Sequence, residues 1–193
     1  VSNFRVQDVT LGGQGAPLVP IGDELLFTDY DFCLNLGGFS NVSWKQDEKR
    51  LACDIGPCNI LLNEICKRIS IEYDMDGKLA AKGKIITALL DKWNALNFYK
   101  LQAPKSLGRE WFELHFLNDV QQVSFDSNDL LATALHHIVF QLNYFLETVI
   151  KNKNSNKQNY KVLVTGGGAH NTYLIQKLQE SRIELLKFTI PEK

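Results

Sequence analysis

Three short stretches combine glycines with polar side chains in a way that suits the handling of a phosphate or a sugar. They are NLGGFSN (35–41), CDIGPCN (53–59) and VTGGGAHN (164–171). In the first, Gly37 and Gly38 let backbone N–H groups approach an anion with no Cβ in the way, and Asn35, Ser40 and Asn41 add donors. A plain hairpin turn with polar flanks reads the same when taken alone. In the second, Asp54 stands where a strand-like run ends, and Gly56-Pro57 turns the chain towards Asn59. A carboxylate there suits a general base or a magnesium-linked role, and equally a helix-capping one. In the third, an apolar run, three glycines (Gly166, Gly167, Gly168) and a helix start form a close-approach surface for a flat or anionic ligand. It is not a dinucleotide fingerprint, because Asn171 takes the place of the third glycine of GxGxxG, and it lacks the lysine of a P-loop.

The elements that must position these stretches follow from hydrophobic spacing. Phe32–Leu36 and Ser40–Trp44 read as strands joined by a two-residue turn at Gly37-Gly38, and Arg50–Cys53 as a third strand after the charged turn KQDEKR. Leu61, Leu62, Ile65 and Ile69 mark a helix that Asn59 is placed to cap. Further helices are predicted around Leu79–Trp93 and Arg109–Leu114. A long one starts after Ser127 or Asn128 and runs to about Ile150, with Leu131, Leu135, Ile138, Leu142, Phe145 and Val149 as its stripe. Lys161–Thr165 reads as a buried strand, Asn171–Glu180 as a helix and Leu185–Thr189 as a last strand. LGGQGAPLVP (11–20) reads as an ordered loop and KNKNSNKQN (151–159) as a solvated one. The order β-β-β-α, helical insertion, α-β-α-β predicts a mixed α/β sheet flanked by helices.

Composition narrows the function classes. The 193 residues are 45% hydrophobic and 22% charged, as in globular proteins, and the net charge of −1 steers nothing towards nucleic acid or an anionic membrane. No apolar run reaches the roughly 20 residues of a spanning helix. The chain begins with Val and carries no signal segment, so it reads as a processed or excised piece. Cys33, Cys53, Cys58 and Cys66 form no CxxC pair and have no histidine close by, which favours buried free thiols, a reducing cytoplasm and no protein-held metal. His136 and His137 read as packing or surface residues, and Trp44, Trp93 and Trp111 as core or interface.

Taken in order, NFRVQDVTLGGQGAPLVP (3–20), NLGGFSNVS (35–43), DIGPCN (54–59), APKSLGRE (103–110) and VTGGGAHN (164–171) resemble the landmarks of the anhydro-N-acetylmuramic acid kinase family. The resemblance covers nearly the whole chain. It implies an actin-like (ribonuclease H-like) fold, with residues 31–193 as the second lobe of a two-lobed kinase, a helical insertion around 78–126 and residues 1–30 as the inter-lobe segment. It also implies a reaction, in which ATP and Mg2+ are used to open the 1,6-anhydro ring of anhydro-N-acetylmuramic acid and phosphorylate the sugar during cell-wall recycling. Asp54 would be the catalytic base. Asn35, Gly37, Gly38, Ser40, Asn41, Gly166, Gly167, Gly168 and Asn171 would bind nucleotide. Arg5, Asp8, Gly56 and Asn59 would meet the sugar, Arg5 through the lactyl carboxylate. Lys105, Arg109 and Glu110 would border the site, or serve only as surface charges. A homodimer is expected from the family alone.

Two departures stand out: the family's DTGPGN is DIGPCN here, with Ile55 and Cys58, and no phosphate loop of a first lobe is present. The chain is therefore expected to be a second lobe cut at both ends and inactive alone. The competing reading is a non-catalytic actin-like module that binds a nucleotide or a partner.

Overall fold

In β1 (Phe32–Leu36) the side chains of Phe32, Leu34 and Leu36 are fully buried on one face, while Cys33 and Asn35 alternate onto the other. That alternation makes β1 the central strand of the sheet. The computed structural model describes residue 10 and residues 20–46, 49–153, 157–180 and 185–191. β2 (Phe39–Gln46) runs antiparallel to β1, and β3 (Lys49–Pro57) antiparallel to β2. On the other side β4 (Tyr160–Thr165) and β5 (Leu186–Thr189) are parallel to β1, giving the order β3-β2-β1-β4-β5. With β2 alone reversed, this is the mixed sheet expected of an actin-like, ribonuclease H-like lobe. The C-terminal ends of β1, β3 and β4 share one edge, where loops in such sheets gather ligands.

The helices are α1 (Pro20–Leu26), α2 (Asn59–Lys67), α3 (Thr87–Asn94), α4 (Arg109–Phe112), α5 (Asn118–Val120), α6 (Ser127–Lys151) and α7 (Thr172–Gln179). α6 is buried along most of its length because it lies between the sheet and the insertion, and Trp44 of β2 meets its Phe145 at 5.5 Å between ring centroids. Its cap is Asp126, one or two residues earlier than the sequence suggests, and the carboxylate accepts from the N–H groups of Asn128 and Asp129. The helix predicted over Leu79–Trp93 is broken by Gly83. A 3-10 turn (Ala80–Lys82) precedes the break, and the extended stretch after it donates from Lys84 N to Asp129 and from Ile86 N to Thr133 Oγ1. Contact with α6 thus replaces two turns of helix. α4 runs through a π-turn (Glu113–Leu117) into α5. Among the described residues no helix is long and apolar enough to cross a membrane.

α1 lies within the segment predicted to be a connection. It meets the sheet through charge: Asp23 accepts from Ser43 Oγ at 2.5 Å, and Glu24 pairs with Arg50 and, at longer range, with Lys45. Its apolar Ile21, Leu25 and Leu26 are exposed.

The insertion adds buried aromatic residues to the same hydrophobic core as the sheet. Trp93 is fully buried against Phe116 and His137, and its indole donates to the buried Asp119, which also accepts from Lys92. His137 on α6 is held on both nitrogens, by Tyr99 Oη at 2.8 Å and Asn94 Oδ1 at 2.7 Å. Trp44, Trp93 and His137 are core residues, and Trp111 is half-buried against the same cluster.

Burial pulls the His137 imidazole down to about 3, so it is neutral in the folded protein. In the unfolded chain an ordinary histidine takes up a proton near pH 6.5. The folded state therefore binds fewer protons between these values, and stability is lost as pH falls through that window. Urea unfolding at pH 5 should give a free energy lower than at pH 7 by about 2 kcal/mol on this account. His137→Gln should remove that part of the pH dependence whatever its effect at pH 7; an unchanged pH dependence would contradict the assignment.

Candidate active site

The site is assembled by one set of backbone hydrogen bonds. The N–H of Asn59 donates to Gly37 O, and those of Cys58 and Ile60 both donate to Gly38 O, at 2.8–3.1 Å. The hairpin turn thereby caps α2, satisfying donors that a helix start leaves open. Asn59, predicted to cap this helix with its side chain, instead occupies the first helical position. Its Nδ2 donates to Leu36 O at 2.9 Å, so the side chain ties α2 to the end of β1. The turn is also wider than a two-residue Gly-Gly hairpin. Leu36 pairs with Ser40, and neither glycine takes the left-handed conformation, because the turn must open to bring its carbonyls over the helix. Gly38 is exposed, and nothing lies within 4 Å of where a Cβ would stand.

The glycine turn after β4 lies against the same structure. Gly166 adopts φ +83°, and a side chain there would run into Asn35 Oδ1 and the Leu36 backbone. Asn35 also has its Nδ2 beside Gly37, so this one amide touches both turns. Gly167 is exposed next to Asn59, whereas Gly168 is buried on Leu36. Asn171 caps α7, accepting from Leu174 N at 3.0 Å.

Strand register places Asp54 in this neighbourhood. Asp54 lies opposite Asn41, Asn41 opposite Asn35, and Asn35 opposite Thr165, which precedes Gly166. The four polar residues cross the sheet in one row, spanning three strand spacings or about 14 Å. A bulge adjoins the row: Ser40 pairs with Gly56 and Asn41 with Asp54, leaving Ile55 as the extra residue of β3. The strand therefore runs on past Cys53, carrying Asp54 inside the sheet rather than at its end. Asp54 is 7% exposed, its Oδ2 accepts from Leu107 N at 2.8 Å, and its own N–H donates to Lys105 O at 2.9 Å. The APKSLGRE stretch thus lies along β3 as a clamp on the carboxylate, a contact between distant segments that spacing does not reveal.

Other predicted residues are placed differently. Ser40 is buried, and its hydroxyl donates to Gly56 O across the bulge. Gly56 is buried with the Tyr99 ring against it, 3.2 Å from where a Cβ would be. The Lys105 amine turns inward to Phe98 O and the Phe98 ring, and burial pulls its pKa down. Arg109 is exposed and pairs with Glu113 one turn on, while Glu110 is exposed beside Gly108. Arg5 and Asp8 lie outside the described residues. The two residues that depart from the family's DTGPGN are both buried in the core. Ile55 is 1% exposed, and the Cys58 thiol is fully buried and pushed up to about 12. The Cys58 thiol reaches Asn59 Oδ1 at 3.9 Å.

A cavity of about 540 Å3 lies between α2, residues 72–76 and the Gly167–His170 turn. Sequence reasoning passed over residues 72–76 because they carry no periodic pattern.

Anhydro-N-acetylmuramic acid kinase from Pseudomonas syringae pv. syringae is 38% identical over 187 residues, covering 93% of this chain and 50% of its own length. The same enzyme of Aliivibrio fischeri is 38% identical over 185 residues (93% and 49%), and that of Bacillus thuringiensis 32% over 188 (93% and 49%). The chain therefore spans about half the length of the curated relatives it matches. Among solved structures, the (R)-2-hydroxyglutaryl-CoA dehydratase component A of Acidaminococcus fermentans superposes with a TM-score of 0.49 at 13% identity, over 88% of this chain and 59% of that one. With the family model for anhydro-N-acetylmuramic acid kinase matching residues 1–188, this chain belongs to the anhydro-N-acetylmuramic acid kinase family.

Proposed function

We propose that this chain supplies the nucleotide-binding lobe, residues 31–193, of an ATP-dependent kinase that hydrolyses the 1,6-anhydro ring of anhydro-N-acetylmuramic acid and phosphorylates O6. The observation that carries the reading is the clamped Asp54 carboxylate, in one cross-strand row with Asn41 and with Asn35, whose amide touches both glycine turns. A module that only binds has no use for a carboxylate held there by a backbone N–H from a distant segment.

In this reading the N–H side of the Gly37-Gly38 turn meets the phosphates, since its carbonyls are engaged with α2. Asp54 takes a proton from the water that attacks the anomeric carbon. The bond from that carbon to O6 breaks, and O6 takes the terminal phosphoryl group as ADP leaves. One carboxylate suffices, because phosphoryl transfer traps the departing oxygen. The Leu107 N–H stabilises the charged carboxylate and fixes its direction. Magnesium supplies charge neutralisation on the phosphates. It would arrive on the triphosphate and take at most one or two carboxylates from the protein. Arg5 remains the candidate for the lactyl carboxylate of the sugar.

In the full-length parent enzyme, Asp54→Asn should lower kcat by about 10²–10⁴-fold with nucleotide affinity little changed. Sugar phosphate release measured under saturating ATP checks this, and wild-type turnover in the variant would remove Asp54 from the chemistry. The 193-residue chain alone should release no sugar phosphate from ATP and anhydro-N-acetylmuramic acid, because phosphoryl transfer needs the phosphates clamped from both sides. Sustained turnover by the purified chain, with contaminating kinase excluded, would contradict the assignment of one lobe.

A further inference from the structure

A buried polar chain runs from α3 across α6 to the strand that carries Asp54, and the kinase reading leaves it without a task. Asn94, the last residue of α3, has an amide oxygen that can only accept. It takes bonds from His137 Nδ1 at 2.7 Å and Gln141 Nε2 at 2.9 Å. The imidazole proton is therefore on Nδ1, and Nε2 accepts from the Tyr99 hydroxyl at 2.8 Å. His137, Gln141 and Tyr99 are all buried. Apolar side chains of the same shape would fill this space without desolvating polar groups, so what the chain adds is a fixed direction for the Tyr99 ring. The far edge of that ring lies on β3. Its Cε1 and Oη are both 3.2 Å from where a Cβ on Gly56 would stand, two residues past Asp54. A second link returns to the same carboxylate. The Lys105 amine donates to Phe98 O at 3.1 Å, and Lys105 O accepts from Asp54 N at 2.9 Å. Residues 98–107 are thus tied at one end to the Tyr99 ring and at the other to Asp54, whose carboxylate accepts from Leu107 N.

We propose that Tyr99 is a positioning residue for the Asp54 carboxylate, holding Gly56 and the 98–107 segment at the spacing that the Leu107 clamp requires. This inference rests on the reading of Asp54 as the general base. Buried as it is, Tyr99 acts through Asp54 and not on a substrate. Two paths lead from its ring to the carboxylate: along β3 from Gly56, and through Phe98 and Lys105 to the clamp. Without the hydroxyl the ring loses its tie to α6, and both paths loosen together. The Gly37-Gly38 turn is tied to α2 instead, so the nucleotide still binds while the base loses its aim.

Amide hydrogen exchange in the 193-residue chain and turnover by the parent enzyme test this together. In Tyr99→Phe the Asp54 and Leu107 amides should exchange about tenfold faster, while those of the central strand β1 keep their rates. In the parent the same substitution should lower kcat about tenfold and leave KM for ATP unchanged. His137→Gln, whose Oε1 can still accept from the Tyr99 hydroxyl, should keep the slow exchange and most of kcat. Four results would each overturn the proposal. They are unchanged rates at Asp54 and Leu107 in Tyr99→Phe, a rise shared equally by β1, a wild-type kcat, or a His137→Gln enzyme as impaired as Tyr99→Phe. Failure of the kinase reading looks different: it would appear as wild-type turnover in Asp54→Asn while the exchange pattern stayed selective.

Discussion

The structure depends on the hydrogen bonds from Cys58, Asn59 and Ile60 to the carbonyl oxygens of Gly37 and Gly38. They join the first hairpin to the start of α2, and through α2 to the end of β3. A buried helix start without acceptors would cost about 1–3 kcal/mol for each N–H left unpaired. Meeting that demand with backbone oxygens has a geometric consequence. The turn must lie over the helix end, and the Gly38 oxygen is used twice. What the turn can still present to a ligand is its N–H side. Instead of a plain reversal of direction, the hairpin is thus committed to one polarity at the sheet edge.

Asp54 is controlled by a second constraint of the same kind. The bulge at Ile55 sends that side chain into the core while Asp54 keeps register with Asn41. The backbone at Lys105 and Leu107 then holds Asp54 at both its N–H and its carboxylate. A carboxylate fixed by an N–H donor keeps its direction at little entropic cost, which general-base chemistry requires. Packing also accounts for the unusual DIGPCN sequence. Ile55 and Cys58 are both buried in the hydrophobic core that lies under this end of β3.

Much of this was legible in the sequence where local pattern and tertiary role agree. Phe32–Leu36 alternates cleanly and forms β1 with those bounds, and the six-residue stripe of the long helix lies on α6. Sequence reading fell short where a distant partner decides the outcome. Asn59 has the type of a cap, yet the Gly37 and Gly38 oxygens do that work and free its amide for Leu36. Ser40 has the type of a phosphate donor, yet the bulge needs its hydroxyl at Gly56. The helix drawn over Leu79–Trp93 gave way to contacts with Asp129 and Thr133, more than forty positions along the chain. The Leu107 clamp on Asp54 is a backbone interaction, so side-chain identity carries no trace of it.

The most direct measurement is a crystal structure of the full-length parent enzyme with magnesium and a non-hydrolysable ATP analogue. The account predicts phosphate oxygens within hydrogen-bond distance of the Gly37 and Gly38 N–H groups, with the hairpin oxygens still on α2 and the Asp54 carboxylate facing the terminal phosphate side of the crevice. Phosphates bound at the start of α2 in place of those oxygens, or an Asp54 turned away with its Leu107 contact intact, would contradict it.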